Sequence, residues 1–128
     1  MKLQDQFIRV LVVDREPMVL CVIARQLADA GFGVSVAHSA KEALALLEEG
    51  DPPVHVVLTD VVMPDIDGLT LGRLIAKNYP RLPVLYMSVY SKDDILPAPA
   101  LGQTPPFIRK PFTSAVLVAA IHSVLARG

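Results

Sequence analysis

An α/β fold built on an open, doubly wound parallel sheet is what this sequence predicts. Five short runs are apolar throughout rather than alternating, as expected of strands covered on both faces. Helical patterns separate them, so the order reads βα five times, and that alternation leads to a parallel sheet with helices on both sides. The third run, Val54-His55-Val56-Val57-Leu58, is followed by a carboxylate, Asp60. The carboxyl end of a strand is where open α/β sheets place their sites, although Asp60 alone also reads as the start of a turn.

Phe7-Ile8-Arg9-Val10-Leu11-Val12-Val13 is the first strand, ending in Asp14-Arg15-Glu16. Pro17 suits a first helical position, and a helix is predicted over about 17–30 with Val19, Ile23 and Leu27 as its core stripe and Gly31 as its stop. Val34–Ala37 is a short second strand. Ser39-Ala40-Lys41-Glu42 matches a capping box, and Ala43, Leu44 and Leu47 give the following helix an apolar face. Gly50-Asp51-Pro52-Pro53 breaks it. After the third strand, Met63-Pro64 resists helix and Asp65-Ile66-Asp67-Gly68 turns the chain, with Asp65 and Asp67 read as turn and helix-entry residues. A third helix is expected from Gly68 to about Tyr79, carrying Leu71, Leu74 and Ile75. Pro83–Met87 is the fourth strand, ending at Ser88. Asp93–Leu96 has room for a helical turn or two, and Pro97, Pro99, Pro105 and Pro106 forbid a long regular helix there. Phe107-Ile108-Arg109 is the fifth strand, Lys110-Pro111-Phe112 follows, and a last helix runs from about Thr113 to Ala126.

The 128 residues suffice for one domain with a full core, and 52% apolar against 20% charged residues argues against disorder. A net charge of −1 offers no electrostatic case for nucleic acid or an anionic membrane. The single cysteine, Cys21, excludes an internal disulfide and a cysteine-based metal cluster, and inside a helix it reads as a packing residue. No apolar run approaches transmembrane length and no secretory signal opens the sequence, so a cytoplasmic domain is expected, free or within a larger chain. His38, His55 and His122 have no metal-ligand spacing and read as structural or surface residues. No linker, repeat or low-complexity segment is present.

Placed on the sheet, Asp14, Asp60, Ser88 and Lys110 follow strands one, three, four and five, so all four belong to one rim. Two carboxylates, a hydroxyl and a lysine there, with Val-Val-Asp, Asp-Val-Val-Met-Pro-Asp-Ile-Asp-Gly, Tyr-Met-Ser and Lys-Pro-Phe in order, resemble the receiver domain of two-component response regulators. The resemblance covers essentially all of residues 1–128. It implies a flavodoxin-like (βα)5 sheet of strand order 2-1-3-4-5, with an irregular fourth helix in this sequence. It also implies phosphorylation of Asp60 by a histidine kinase or phosphotransfer domain, with no catalysis beyond the domain's own phosphoryl transfer and loss. A carboxylate is ionised at neutral pH and needs no base to act as nucleophile. Lys110 and Ser88 would serve the phosphoryl oxygens. Asp14, Asp60 and the Val62 backbone carbonyl would hold Mg²⁺. Ser88 and Phe107 would form the switch, and the Lys110-Pro111 bond would be cis. Taken singly, Lys110 also reads as a surface lysine, Ser88 as a strand-end hydroxyl and Phe107 as plain core.

The sequence departs from the family in three places. The family carries two adjacent acids after strand one, and the second is here Arg15, whose charge disfavours Mg²⁺ nearby and weakens that site. Val89 is larger than the residue the family prefers after the hydroxyl, and the proline-rich stretch before strand five resembles receivers of hybrid sensor histidine kinases. Val62 and Tyr90 occupy the positions that govern loss of the phosphoryl group, and their bulk implies a long-lived adduct. Two other readings stand beside the phosphorylated receiver: a degenerate receiver that binds partners without phosphorylation, and a small flavin-binding protein of the same fold. The second lacks a Gly- and Ser/Thr-rich phosphate loop after the first strand.

The last helix has no charged residue from Ala115 to Ala126. Leu117, Ile121 and Leu125 supply an inward stripe, which leaves Val116, Val118 and Val124 facing outward. A face of that kind implies a partner surface, for a second copy or another domain, unless the 97–106 segment covers it.

Overall fold

The computed structural model describes residues 7–90 and 105–127. Along the chain run β1 (Arg9–Val13), α1 (Pro17–Asp29), β2 (Gly33–Ala37), α2 (Ala40–Glu49), β3 (Val56–Asp60), α3 (Gly68–Asn78), β4 (Val84–Ser88), β5 (Phe107–Arg109) and α4 (Ser114–Arg127). The sheet order is β2-β1-β3-β4-β5 with every neighbouring pair parallel, the flavodoxin-like arrangement expected. The helical turns expected over 93–96 and the proline segment 97–104 lie outside the described residues.

Strand alternation divides the core into two layers. Val10, Val12, Leu58, Leu85, Met87 and Ile108 face α1 and α4. Leu11, Val13 and Val57 face α2 and α3, where Ala43, Leu47, Leu71 and Ile75 meet them. β3 is buried at all five positions, as a central parallel strand must be. Among the loop residues, Gly50 ends α2 in the left-handed conformation at φ 72°, a region glycine enters without a Cβ penalty.

α3 meets β4 through a volume exchange. Gly72 is fully within the layer, and a Cβ there would collide with the Tyr86 hydroxyl and stand 2.8 Å from its Cζ. The absence of a side chain at 72 is what admits the Tyr86 ring. Burial raises the Tyr86 hydroxyl above its ordinary pKa.

Three sequence expectations need correction. The buried stripe of α1 is Leu20, Ile23 and Leu27, with Val19 only partly covered. Cys21 is exposed rather than packed. On α4, Leu117, Ile121 and Val124 are buried and Leu125 is partly so, which reverses the roles read for 124 and 125. The reason is geometric. At 3.6 residues per turn, a step of seven returns within about 20° of its start, whereas a step of eight overshoots by about 80°. Val116 remains exposed at 49%, and Val118 is half-buried.

Candidate functional site

Backbone ladders carry four polar residues to one rim. The Asp14 N–H donates to the Ala37 carbonyl at 3.1 Å, extending the β1–β2 ladder past Val13. Asp60 is the last residue of β3 and Ser88 the last of β4. The Lys110 N–H donates to the Ser88 carbonyl at 2.8 Å, which continues the β4–β5 ladder and sets the start of the lysine side chain. The Lys110-Pro111 bond is cis, as the resemblance implied. Asp14, Asp60 and Ser88 are all buried, at 0%, 6% and 1% exposure.

Lys110 joins the two carboxylates. Its Nζ lies 2.8 Å from Asp14 Oδ2 and 3.2 Å from Asp60 Oδ2. The remaining oxygens take backbone donors: Asp14 Oδ1 accepts the Glu16 N–H at 2.9 Å, and Asp60 Oδ1 accepts the Val62 N–H at 3.2 Å. The Ser88 hydroxyl oxygen accepts the Tyr90 N–H at 3.1 Å, so its own proton is available to a further acceptor. Burial raises the Asp60 carboxyl above the usual range. The Lys110 charge opposes that shift and the Asp14 charge adds to it.

The other predicted residues lie around this centre. Arg15 is exposed, and the structure brings Lys110 and the Val62 N–H, not Arg15, to Asp60. Val89 and Tyr90 are exposed at 55% and 54%. Phe107 is half-buried in β5, in register with Tyr86. His38 pairs with Glu42, His55 Nδ1 accepts the Arg9 N–H, and His122 tilts against Phe32. Among the described residues, no group of three or more His, Cys, Asp or Glu side chains is placed to hold a metal.

Two features of the 61–68 loop escape the sequence reading. Gly68 packs against the strand end, where its N–H donates to the Val61 carbonyl at 2.7 Å and a Cβ would collide with the Asp60 carbonyl oxygen. Asp65 does more than turn the chain. Its carboxylate reaches α2, accepting the Ala40 N–H at 3.1 Å and the Lys41 N–H at 2.9 Å. No local pattern could signal a partner some 25 residues away. Asp67 does behave as read: it caps α3 by accepting the Thr70 N–H at 2.7 Å.

Beside Lys110 opens a shallow, mostly apolar groove of about 280 Å³ between α1 and the β5–α4 turn. Val22, Ile23, Val89 and Phe112 line it, and Lys110 borders both groove and site.

Known proteins match this arrangement. The sequence profile of the response regulator receiver domain matches residues 10–122. The chain is 36% identical over 121 residues to the sensor kinase CckA of Brucella abortus (strain 2308), covering 92% of this chain and 12% of CckA. It is 32% identical over 123 residues to the transcriptional regulatory protein TrcR of Mycobacterium tuberculosis (strain ATCC 25618 / H37Rv), covering 94% of this chain and 46% of TrcR. The chain thus spans less than half of either relative. Among solved structures, a response regulator receiver domain protein from Clostridium thermocellum superposes with a TM-score of 0.81 at 31% identity, covering 94% of this chain and 95% of that one. The receiver domain of the hybrid histidine kinase CckA superposes with a TM-score of 0.74 at 30% identity, covering 91% and 98%. By profile, relatives and fold together, the chain belongs to the response regulator receiver domain family of two-component systems.

Proposed function

We propose that this chain is a phosphoacceptor receiver, phosphorylated on Asp60 by a histidine kinase or phosphotransfer domain. The observation that carries this reading is the convergence of Asp60, Asp14 and Lys110 within 3.2 Å contacts at the strand ends, with Ser88 on the same rim. In the reaction an Asp60 carboxylate oxygen attacks phosphorus. The bond from the donor histidine nitrogen to phosphorus breaks, and its electron pair stays on that nitrogen. Little covalent chemistry remains for the protein, so positioning and charge neutralisation dominate. The Lys110 ammonium, already 3.2 Å from Asp60, faces the charge that builds on the transferred oxygens. Ser88 supplies a hydroxyl donor, and Phe107 follows its movement as the second switch residue.

Asp14, Asp60 and the Val62 carbonyl are hard oxygen donors of the kind Mg²⁺ prefers, and they would hold it. When bound, the ion would supply further neutralisation at the phosphoryl oxygens. The set offers two carboxylates rather than three, and the cation of Arg15 adjoins it, so weak Mg²⁺ affinity is part of this reading.

A donor must reach Asp60 from the open rim, so its body rests on what borders that rim. The apolar groove next to Lys110 and the exposed Met18 and Val22 of α1 offer such a seat for a helix of the histidine-bearing partner. Val89, at the lip, narrows the approach. In the described residues no helix is long and apolar enough to cross a membrane. A receiver that takes its phosphoryl group from a kinase's phosphohistidine would work in the cytoplasm, and that setting is part of this reading. The similarity to CckA agrees with a hybrid-kinase setting for residues 1–128 as one receiver domain.

Incubation with acetyl phosphate or a phosphohistidine donor, read by intact mass, tests the assignment. One base-labile phosphoryl group on the wild type and none on Asp60→Asn is the expected result. Equal labelling of both overturns it, and no labelling of either favours a receiver that works without phosphorylation.

A further inference from the structure

We propose that Asp65 is a positioning residue for Asp60: by tying the 61–67 loop to α2 it holds the Val62 N–H against the Asp60 carboxylate. The inference rests on Asp60 being the reacting group.

Three contacts carry it. The loop is pinched at its ends, where the Gly68 N–H donates to the Val61 carbonyl at 2.7 Å. At its start, the Val62 N–H meets Asp60 Oδ1 at 3.2 Å. That bond sets the carboxylate orientation that leaves Oδ2 to Lys110. Between these points, the Asp65 carboxylate spans two N–H groups of α2 with separate oxygens, Oδ1 to Ala40 and Oδ2 to Lys41. A two-point attachment fixes orientation as well as distance, and a charged acceptor makes each bond stronger than a neutral one would be.

A simple helix cap does not account for this. α2 already has its own N-cap in Ser39, whose Oγ accepts the Glu42 N–H at 3.1 Å. Asp65 takes the first two helical N–H groups, which no intrahelical partner serves. It does so from an exposed loop, where ordering a side chain costs entropy, so its effect falls on the loop as much as on the helix. The bonds also keep the group charged. Desolvation alone would raise its pKa, but the N–H groups of Lys41, Ile66 and Ala40 outweigh that and hold the carboxyl below its ordinary range.

Ser39→Ala provides the matched control, because it removes a cap from the same helix end without touching the loop. Hydrogen exchange at the Val62 amide and the initial rate of labelling by acetyl phosphate are measured in wild type, Asp65→Ala, Asp65→Asn and Ser39→Ala. In Asp65→Ala, Val62 exchange should quicken by about tenfold, the scale of one lost hydrogen bond. Labelling should slow several-fold through kcat. Asp65→Asn, which keeps one acceptor oxygen, should recover part of both. Ser39→Ala should lower Tm yet leave Val62 exchange and labelling at wild-type values. If Asp65→Ala and Ser39→Ala behave alike in both readouts, Asp65 is a helix cap only and the inference is overturned. A wild type that takes no label defeats the phosphoacceptor reading instead, and Val62 exchange still decides the role of Asp65.

Discussion

Lys110 stands closer to Asp14 than to Asp60, 2.8 Å against 3.2 Å, although Asp60 is the residue assigned to react. One ammonium thus pairs with a fully buried carboxylate while still touching its neighbour, and among the described residues it is the cation that offsets both charges. Removing one member of a buried ion cluster leaves uncompensated charge, which costs about 3 kcal/mol or more. Lys110→Ala should therefore lower stability by about that amount at neutral pH. The loss should be smaller at a lower pH, where the Asp60 carboxyl, raised by burial, has taken up its proton. Urea unfolding at the two pH values checks this, and a pH-independent loss would contradict it.

Asp60 itself should be a net burden on the fold. Its carboxyl is raised above the ordinary value, chiefly by burial. Between the unfolded pKa and the raised folded one, the native state binds more protons than the unfolded state. Stability therefore falls as pH rises through that window, and the cost is fully present above it. Asp60→Asn should raise stability at neutral pH, where the whole of that cost is present. It should also flatten the pH profile in the acid range. Thermal unfolding across pH gives the comparison, and an asparagine variant less stable than wild type at neutral pH would refute the sign.

At the edge of the site, Arg15 is exposed, so its replacement should spare the fold. Arg15→Asp removes a cation beside Asp14 and adds the acid that the family carries there. Mg²⁺ binding should strengthen by about 1 kcal/mol, the Coulomb scale for near-surface charges. Calorimetric titration with Mg²⁺, alone and with beryllofluoride, measures it. Unchanged affinity would mean that the Arg15 charge does not reach the oxygen donors.

Val116 and Val124 now separate cleanly. Val124 is 3% exposed and Val116 49%. Val124→Lys should destabilise by about 3 kcal/mol through burial of an unpaired charge, whereas Val116→Lys should stay within about 0.5 kcal/mol of wild type. Denaturant midpoints decide it. If instead Val116→Lys is the damaging change, α4 is turned differently from the arrangement described.

The sheet was legible because its strands are apolar on both faces and end in polar residues. Those two facts are enough to assign Asp14, Asp60, Ser88 and Lys110 to one rim from the sequence alone. The phase of a helix was harder to read. In α4 ten of the 14 residues are apolar, so nothing in the composition distinguishes Val124 from Leu125, and packing into the core selects one. Cys21 is misread for the same reason: α1 carries apolar residues all round, and Met18 and Val22 are exposed beside it. Asp65 is a different case: the chain does bend there, and what went unread is its second contact. An aspartate after proline is a sound local turn signal, and local signals carry no information about a bond to α2.

The fit of the Tyr86 ring over Gly72 implies a bond between two sequence columns that no chemistry links. Neither position can drift alone. A larger residue at 72 requires a smaller one at 86, and a smaller residue at 86 opens a void that selection would refill from 72. Among relatives of this chain, the summed side-chain volume at the two positions should vary less than either does alone. A graft of α3 from another receiver will keep its helix only if β4 residue 86 travels with it.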